Sequence, residues 1–571
     1  MRARSWAVTI AAGLVLADAS IVTLALPELL RALDTTIEGV AAVIAVYTGV
    51  LALALPLVPR ALRSLGPARL GAAGFAVFAL ASAVCATADT LGILLTARAI
   101  QAAAGAFALV ATFELIRGGT EAGRRHWLGA AVMASAVGPA LGGALTQAFD
   151  WRAIFVAQVP IALLGAVAAG LAPWRAGPDH RLRRRCPSGR AHTALSGGAR
   201  ASSAPPARSA WAADSVALAL VSGALTAVLF GLVLLLIAGW AVEPLAAAAT
   251  VTVLPLAALA GARVRASPLP RALAGCLLVG GGVLALAWLP SASVAWTFAP
   301  QALAGIGMGM ALPAFAGELL PERTAREAAR LLTIRHAGIA LVLVALAPLI
   351  AHRLDVVTER AQEQGVALVL DAKLPPQDKL TLAPALLGGV QAERPRAGLR
   401  QALAANGRDY AGEERTTYDH MAQRADDVLV GAVGDAFRVA FVIAGALALL
   451  AAAALAIGLP PPRTSALVAV SLALAVASPA AYAAIHAATE PQAVAIQDPC
   501  KDRKLPRTGG IAGFLQDRAL EALDAAACRF GSSREELVLA LADEQAARRY
   551  EAEHGVDPRS LRSVVGGLVN P

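Results

Sequence analysis

The hydrophobic pattern of the chain is a succession of thirteen apolar stretches, each about as long as a lipid bilayer is thick. A helix rises about 1.5 Å per residue, so roughly 20 apolar residues cross about 30 Å of hydrocarbon. Backbone groups cannot remain without hydrogen bonds in lipid, so each stretch must form a helix. The pattern predicts an all-α membrane protein with spans at residues 6–26, 39–58, 69–88, 90–116, 127–148, 153–173, 214–239, 244–262, 270–289, 294–317, 328–350, 437–459 and 464–488.

Polar segments divide these spans into two bundles of six helices and one additional helix. The segment between the bundles is rich in Arg, Ser, Pro and Gly and is predicted to be a flexible cytoplasmic linker. Its RLRRR run either sets the topology or touches anionic lipid heads. The units are the N-terminal bundle, the linker, the C-terminal bundle with its extracytoplasmic insertion, the thirteenth helix and the tail, at residues 1–173, 174–213, 214–460 (insertion 352–435), 461–489 and 490–571.

Charge distribution orients the helices. The net charge is +9 and the chain is 57% hydrophobic. Arginine is concentrated in every second loop, which excludes a single basic face for nucleic acid and places these loops in the cytoplasm. We expect a multi-pass protein of the cell (inner or plasma) membrane with a cytoplasmic N-terminus, a first span that acts as signal anchor, and an extracytoplasmic tail. The orienting residues include Arg60, Arg63, Arg69, Arg117, Arg124, Arg125, Arg183, Arg263, Arg271, Arg323 and Arg463.

The polar insertion and the tail both contain helix signals. The insertion is predicted to form a small helical cap over the outer mouth of the bundles. In the tail, Ser532 and Glu535 have the spacing of a capping box. Cys500 and Cys528 both lie in the tail, where an oxidising compartment favours a disulfide over two free thiols. We therefore predict two or three short helices held by this bridge.

Motifs for enzymatic chemistry are absent from the sequence. It contains no GxSxG, no HExxH and no phosphate-binding loop, and its Cys and His residues do not have metal-site spacing. We expect no enzyme activity, no cofactor and no metal, and no ATP-driven pumping by this chain alone.

Asp18 is the most informative ionisable residue because it lies in the middle of the first span. A carboxylate at the centre of a bilayer costs at least about 2.5 kcal/mol, so it must face a cavity, pair with another group or bind a proton. Asp18 is therefore the first candidate for proton exchange. The alternative is a hydrogen bond to a neighbouring helix without a role in transport.

Arg98 in the fourth span is the second candidate. A buried guanidinium needs an acceptor, and Gln101 lies three residues further on the same helix face. The alternative is an arginine that extends to the lipid headgroups.

Glycine and proline are concentrated in SAVGPALGGAL of the fifth span. A proline bends the helix, and glycines let another helix approach closely. Ordinary packing of small residues is the alternative interpretation. The residues are Gly138, Pro139, Gly142 and Gly143.

Together these residues resemble the major facilitator superfamily, and most closely its drug:proton antiporter branch. LADASIVTLALP, with Asp18, is similar to the branch signature LDxTIVNVALP, and Arg98, Gln101 and Gly105 are similar to the fourth-helix motif that the family links to proton coupling. The fifth-span residues fit its GPxxGG antiporter motif. WRAIFVAQVPIALL resembles WRWIFLINVPIGLL, with Gln158 in place of asparagine and matches at Trp151, Arg152 and Pro160.

The resemblance covers about residues 6–350 and 436–460 and implies two six-helix bundles that work by alternating access. One position departs from it: Arg63 stands where the family has an aspartate that latches the halves on the cytoplasmic side. The branch usually has two spans between the halves, whereas this chain has its additional span near the C-terminal end.

Two functions are compatible with these features. The first is a monomeric, proton-coupled secondary exporter whose partners are a small amphipathic substrate, protons and the lipid bilayer; Asp18 would load a proton from outside and Arg98 would tune its affinity. The second is a transporter-like scaffold or receptor that binds a partner through its cap and tail, which Arg63 and the two outward additions suggest. A polar cavity lined by Asp18 favours the first function, and a packed, dry centre favours the second.

Overall fold

The structure, a computed structural model, consists of helices and the turns between them in the part of the chain that it describes. It describes residues 2–116, 120–172, 208–319, 323–375, 379, 382, 395–457, 465–489, 494–501 and 510–560, and no β-strand occurs among them. The all-α prediction is confirmed. Most of the linker predicted at 174–213 lies outside the described residues.

Six long helices form the N-terminal half. A short helix, Leu26–Ala32, follows α1, and a helix Val58–Leu65 continues α2 after a 3-10 turn. Threonine side chains cap the starts of three of these helices, as Thr90 does by accepting the backbone N–H of Ile93. The helices are α1 Arg2–Thr23, α2 Ile37–Ala54, α3 Pro67–Ala86, α4 Leu91–Leu115, α5 Glu121–Ala148 and α6 Arg152–Gly170.

The C-terminal half contains longer helices. A π-helical turn, Leu235–Gly239, ends α7, and α8 is made of two consecutive pieces. The helices are α7 Arg208–Leu234, α8 Pro244–Val251 with Val253–Gly261, α9 Pro268–Ala285, α10 Ala295–Leu319, α11 Ala325–Asp371, α12 Pro395–Asn406, α13 Gly412–Ala456 and α14 Ala466–Thr489. The tail adds α15 Gly510–Phe530, α16 Arg534–Ala542 and α17 Glu544–His554.

Twelve helices in the described part of the chain are long and apolar enough to cross a membrane. The predicted span 127–148 forms part of α5, but most side chains between 121 and 136 are outside the described set, and α5 is not among the twelve. The total of thirteen spans is therefore not confirmed and stays a prediction. The additional helix, α14, packs against α9, where a Cβ on Gly281 would lie 2.3 Å from the Cα of Ala475.

Contacts between the halves involve α2 with α11 and α5 with α8. Within the N-terminal half, α1 packs against α5 and α6, and α3 packs against α4 and α6. The domain boundaries given above stay predictions, although α7 begins at Arg208, inside the segment predicted to be the linker.

Two membrane helices extend into the polar insertion. The helix α11 has 47 residues, which corresponds to about 70 Å, more than twice the hydrocarbon thickness. The helix α13 has 45 residues and extends in the same way at its N-terminal end. We call residues 352–375 and 395–435 the stalk, and the end of the bundles that carries it the stalk side.

Polar contacts fix the stalk to the C-terminal half. The guanidinium of Arg396 donates to both carboxylate oxygens of Asp426, at 2.9 and 2.8 Å, and to the carbonyl of Trp240 at 3.3 Å. Tyr418 donates to the carbonyl of Leu403 at 2.6 Å. The insertion is therefore a continuation of the helical core.

The tail packs against the stalk through one hydrophobic cluster and one buried arginine. Leu520 and Leu539 of the tail pack with Val366 and Leu370 of α11. Arg534, fully buried, donates at 2.9 Å to a carboxylate on the last residue of α11 and at 2.9 Å to Glu535. These contacts join the tail to the C-terminal half.

The structure joins Cys500 and Cys528 in a disulfide, as predicted. The predicted capping box was wrong by one residue: Ser533 and Glu536 form it at the start of α16, while the Ser532 hydroxyl hydrogen-bonds Tyr550. The sequence pattern alone does not show which of the two adjacent serines caps the helix. Ser532 is buried against Tyr550, so Ser533 is the one that caps it.

We expect the change Arg534→Met to weaken tail docking by about 3 kcal/mol, because it removes the cation that faces buried Glu535. Limited proteolysis of the purified full-length chain measures this as faster cleavage of the tail. The control is Arg548→Met, since the exposed Arg548–Glu544 pair is worth about 1 kcal/mol at most. Equal cleavage rates in the two variants would contradict the role given to Arg534.

Candidate functional site

The candidate site is a group of polar side chains inside the N-terminal half. Asp18 of α1 has no exposed surface, and neither has Arg98 of α4. The Nη1 atom of Arg98 donates to Asp18 Oδ2 at 2.5 Å. The interpretation of Arg98 as a residue that extends to lipid headgroups is therefore wrong, because its charge is neutralised inside the bundle.

Two glutamines complete the surroundings of this pair. Arg98 Nη1 also donates to Gln101 Oε1 at 2.6 Å, so the spacing on one helix face predicted this contact correctly. Gln158 Nε2 of α6 donates to Asp18 Oδ1 at 2.8 Å. Gln101 Nε2 donates to Gln158 Oε1 at 2.7 Å and to the hydroxyl of Ser82 at 2.8 Å.

An aromatic residue of α2 also contributes to the site. The ring centroid of Tyr47 lies 4.2 Å from the guanidinium carbon of Arg98, which is a cation–π distance. The hydroxyl of Tyr47 donates to the carbonyl of Val15 at 2.9 Å. Sequence reasoning missed Tyr47, Ser82 and the role of Gln158; the available signal was that each is a polar group inside an apolar span.

The buried ion pair has a specific energetic consequence. Taking two charges out of water is unfavourable, and their attraction offsets this only where further hydrogen bonds satisfy both groups. Asp18 accepts from Arg98 and Gln158, whereas the Nη2 atom of Arg98 has no hydrogen-bond partner in the part of the chain described. The loss of either charge would leave the other one uncompensated.

Small residues of the fifth-helix motif form close contacts with two other helices. A Cβ on Gly138 would lie 2.4 Å from Ser20 Oγ, and one on Gly142 would lie 2.3 Å from the carbonyl oxygen of Ile21, both on α1. A Cβ on Gly143 would lie 2.3 Å from that of Ala248 on α8, in the other half. Only glycine permits this approach at the three positions.

Gly143 is part of a contact between the halves. Gln147, one turn further along α5, accepts the backbone N–H of Leu245 at 2.8 Å. Pro139 lies inside α5 as predicted, and its effect on the helix direction stays a prediction.

The other signature residues lie outside the buried pair. A Cβ on Gly105 would lie 2.8 Å from Val15 Cγ1, so this glycine brings α4 close to α1. Arg152 lies over the Trp151 ring at 4.4 Å and donates to the carbonyl of Ala88 at 3.1 Å. Pro160 is exposed on α6.

Arg63, the departure from the family pattern, is exposed on the short helix after α2. At the start of α11, Thr324 and Glu327 form a capping box.

Asp18 does not line a polar cavity in this conformation, and of the two outcomes named above its packed surroundings are the one that favours the scaffold. Asp18 is completely buried, and so are Arg98 and Gln101. Because none of these side chains has exposed surface, solvent reaches the ion pair from neither side in this conformation.

In the tail, Glu536, Glu553 and His554 place their ligand atoms within 4.8 Å of one another. His554 Nε2 lies 3.2 Å from one Glu536 oxygen, and the other oxygen accepts the backbone N–H of Ser533. Protein groups thus already use both oxygens, and we assign no metal to this cluster.

Comparisons with known proteins agree with the fold and the signature residues. A family model described as Major Facilitator Superfamily matches residues 8–349. A bacterial homolog to the human lysosomal transporter Spinster, in an inward-facing and occupied conformation, superimposes with a TM-score of 0.53 and 15% identity, covering 79% of this chain and 95% of that one. At this identity the likeness shows the fold alone.

Relatives found by sequence include proteins named for drug resistance. The multidrug efflux pump LfrA of Mycolicibacterium smegmatis is 35% identical over 25% of this chain and 33% of that protein. The methylenomycin A resistance protein of Streptomyces coelicolor is 29% identical over 27% of this chain and 34% of that protein. The chain thus aligns with about a third of the length of these relatives.

We expect Gly143→Leu to hold the halves apart on the stalk side, because its side chain would overlap Ala248 and the carbonyl of Pro244. Thiol crosslinking between Gln147→Cys and Leu245→Cys should then fall several-fold. The control in the same cysteine background is Gly92→Leu, whose Cβ would meet nothing within 4 Å. An unchanged crosslinking yield would show that Gly143 does not set the distance between the halves.

Proposed function

The chain belongs to the Major Facilitator Superfamily, whose model matches residues 8–349, and we propose that it is a proton-coupled secondary exporter of small amphipathic molecules. Family membership agrees with the predicted absence of enzyme activity. The single observation that carries the proposal is the 2.5 Å pair of Asp18 and Arg98, buried between α1 and α4. Relatives named as a multidrug efflux pump and a methylenomycin resistance protein support the substrate class and the direction.

The pair provides a chemical basis for coupling. A proton that binds Asp18 removes the negative charge that holds Arg98, and the guanidinium then needs another partner. Two conformations that differ in this contact therefore differ in proton affinity, and by linkage the proton shifts their populations. Alternating access requires such a difference, with the halves rocking about a central site.

The closed surroundings of Asp18 are compatible with this cycle. A carrier must pass through a conformation in which the coupling group is shut off from both sides, or protons would leak without substrate. The close contact of α5 with α8 keeps the halves together on the stalk side. In the predicted orientation this side is extracytoplasmic, so proton entry to Asp18 requires the Gly143 contact to open.

A second function is favoured by two observations. The packed surroundings of Asp18 and the stalk with its docked tail fit a transporter-like scaffold or receptor that binds an extracytoplasmic partner. We prefer export because a structural role alone does not require a buried charge pair; in many proteins apolar residues of similar volume replace such a pair without loss of stability.

We expect Asp18→Asn to reduce proton-driven transport to the level of protein-free liposomes, because asparagine cannot exchange a proton. The measurement uses purified protein in liposomes, an imposed proton gradient and a panel of amphipathic fluorescent dyes. The matched control is Asp89→Asn, an aspartate of the same half whose side chain is 85% exposed.

Gradient-driven dye movement that persists in Asp18→Asn would remove Asp18 from the mechanism. No movement of any dye by the unmodified protein would favour the scaffold. Dye movement that does not respond to the proton gradient would support transport by this protein but exclude coupling to protons.

A further inference from the structure

The hydrogen bonds around Asp18 form a closed ring of four side chains from three helices. Arg98 donates to Asp18 directly and to Gln101; Gln101 donates to Gln158, and Gln158 donates to Asp18. The ring contains two routes from Arg98 to Asp18, one direct and one through Gln101 and Gln158. Along each route every residue donates to the next one toward Asp18. Both routes begin at the guanidinium and end at the carboxylate.

The two ends of the ring determine the orientation of both amides. A guanidinium only donates and an ionised carboxylate only accepts. Gln101 must therefore present its oxygen to Arg98, and its NH2 group then faces Gln158. Gln158 must present its oxygen to Gln101, and only its NH2 group remains for Asp18. The Ser82 hydroxyl accepts the other N–H of Gln101 at 2.8 Å, which agrees with this orientation; its single proton has the carbonyl of Phe78 at 2.8 Å as its nearer acceptor and the Gln158 oxygen at 3.2 Å as its farther one.

This polarity makes Gln158 selective for one protonation state. Its NH2 group stabilises the ionised carboxylate but offers no acceptor to a proton on Oδ1, and a proton on Oδ2 would face Arg98, which also only donates. For Gln158 to accept from a protonated Asp18, its amide must turn and place an NH2 group against the NH2 group of Gln101. Gln101 must then turn as well, which places a donor against Arg98. A proton on Asp18 thus disturbs the ring as far as α4 and α6.

We propose that Gln158 is a positioning residue for proton exchange: it holds the second oxygen of Asp18 and makes α6 sensitive to whether that oxygen carries a proton. This inference rests on the proposed function, in which Asp18 exchanges protons. The sequence pattern had given Gln158 only as a replacement for asparagine in a signature, without a role.

Other groups around Asp18 limit what Gln158 can contribute. Among the described residues, Arg98 of α4 is the charged group that acts on Asp18, and the charge of Asp18 in turn acts on two uncharged titratable groups, the Tyr47 hydroxyl of α2 and the Cys85 thiol of α3. The part of α5 with described side chains, 137–148, contains no titratable residue, and α6 contributes the neutral amide. Arg98 provides the charge, and Gln158 provides the only neutral donor to the carboxylate among these residues.

The test measures proton binding without transport. Infrared spectroscopy of the purified full-length protein in detergent follows the carboxyl band of Asp18 as pH changes, and the absence of that band in Asp18→Asn assigns it. In Gln158→Met the midpoint of the Asp18 titration should move to higher pH by about one unit, a tenfold change in proton affinity. The reason is that the ionised carboxylate loses a hydrogen-bond donor. Gln158→Asn, which keeps an amide, should restore part of the difference.

Gln301→Met is the matched control. Gln301 is a fully buried glutamine of α10 that donates to Thr297 at 3.0 Å, away from the ring, so its replacement should leave the midpoint unchanged. If Gln158→Met does not yield monodisperse protein, Gln101→Met tests the same idea: it frees Gln158 to turn and should produce a smaller shift in the same direction.

The outcomes separate this inference from the proposed function. If the band assigned to Asp18 does not titrate in the unmodified protein, proton exchange at Asp18 fails. If it titrates, and Gln158→Met or its substitute Gln101→Met has the unmodified midpoint, the positioning role of Gln158 alone is overturned. An equal shift in Gln301→Met would also overturn it, because a general loss of packing would then explain the effect.

Discussion

A carboxylate inside an apolar helix bundle must be neutralised, and the organisation of the N-terminal half follows from this constraint. Arg98 supplies the opposite charge to Asp18, and further hydrogen bonds to the two groups come from the side chains of Gln101 and Gln158 and from the carbonyl of Val43. Helices α1, α2, α3, α4 and α6 each bring a residue to this point. Their relative positions are therefore set by polar contacts as well as by packing.

Packing of the helices elsewhere depends on small residues, because lipid chains provide no hydrophobic drive for helices to associate. A Cβ on Gly74 of α3 would lie 2.8 Å from the backbone of Ala108 on α4. A Cβ on Gly275 of α9 would lie 2.7 Å from the carbonyl of Gly307 on α10. Equivalent helices of the two halves thus use the same kind of backbone contact, as expected of parallel repeats.

Structural features that depend on local composition could be predicted from the sequence. Apolar length located the membrane helices, and helical spacing placed Arg98 and Gln101 together. Partners on different helices were not predictable: nothing in the pattern joins Gln158 to Asp18, because that contact depends on how α6 packs against α1. The sequence predicted a small separate cap where the structure has the stalk, and the reason is different. Polar helix-forming residues after an apolar span are equally compatible with a separate cap and with a continued helix.

The continuous α11 gives the stalk a mechanical property. One end packs against α2 of the opposite half, and the other end bears the tail through the contact of Arg534 with Asp371. A helix of this length that tilts as one body acts as a lever, so a small tilt near its membrane end becomes a larger displacement at its tip. In the proposed cycle, rocking of the bundles would therefore move the tail further than the membrane end of α11.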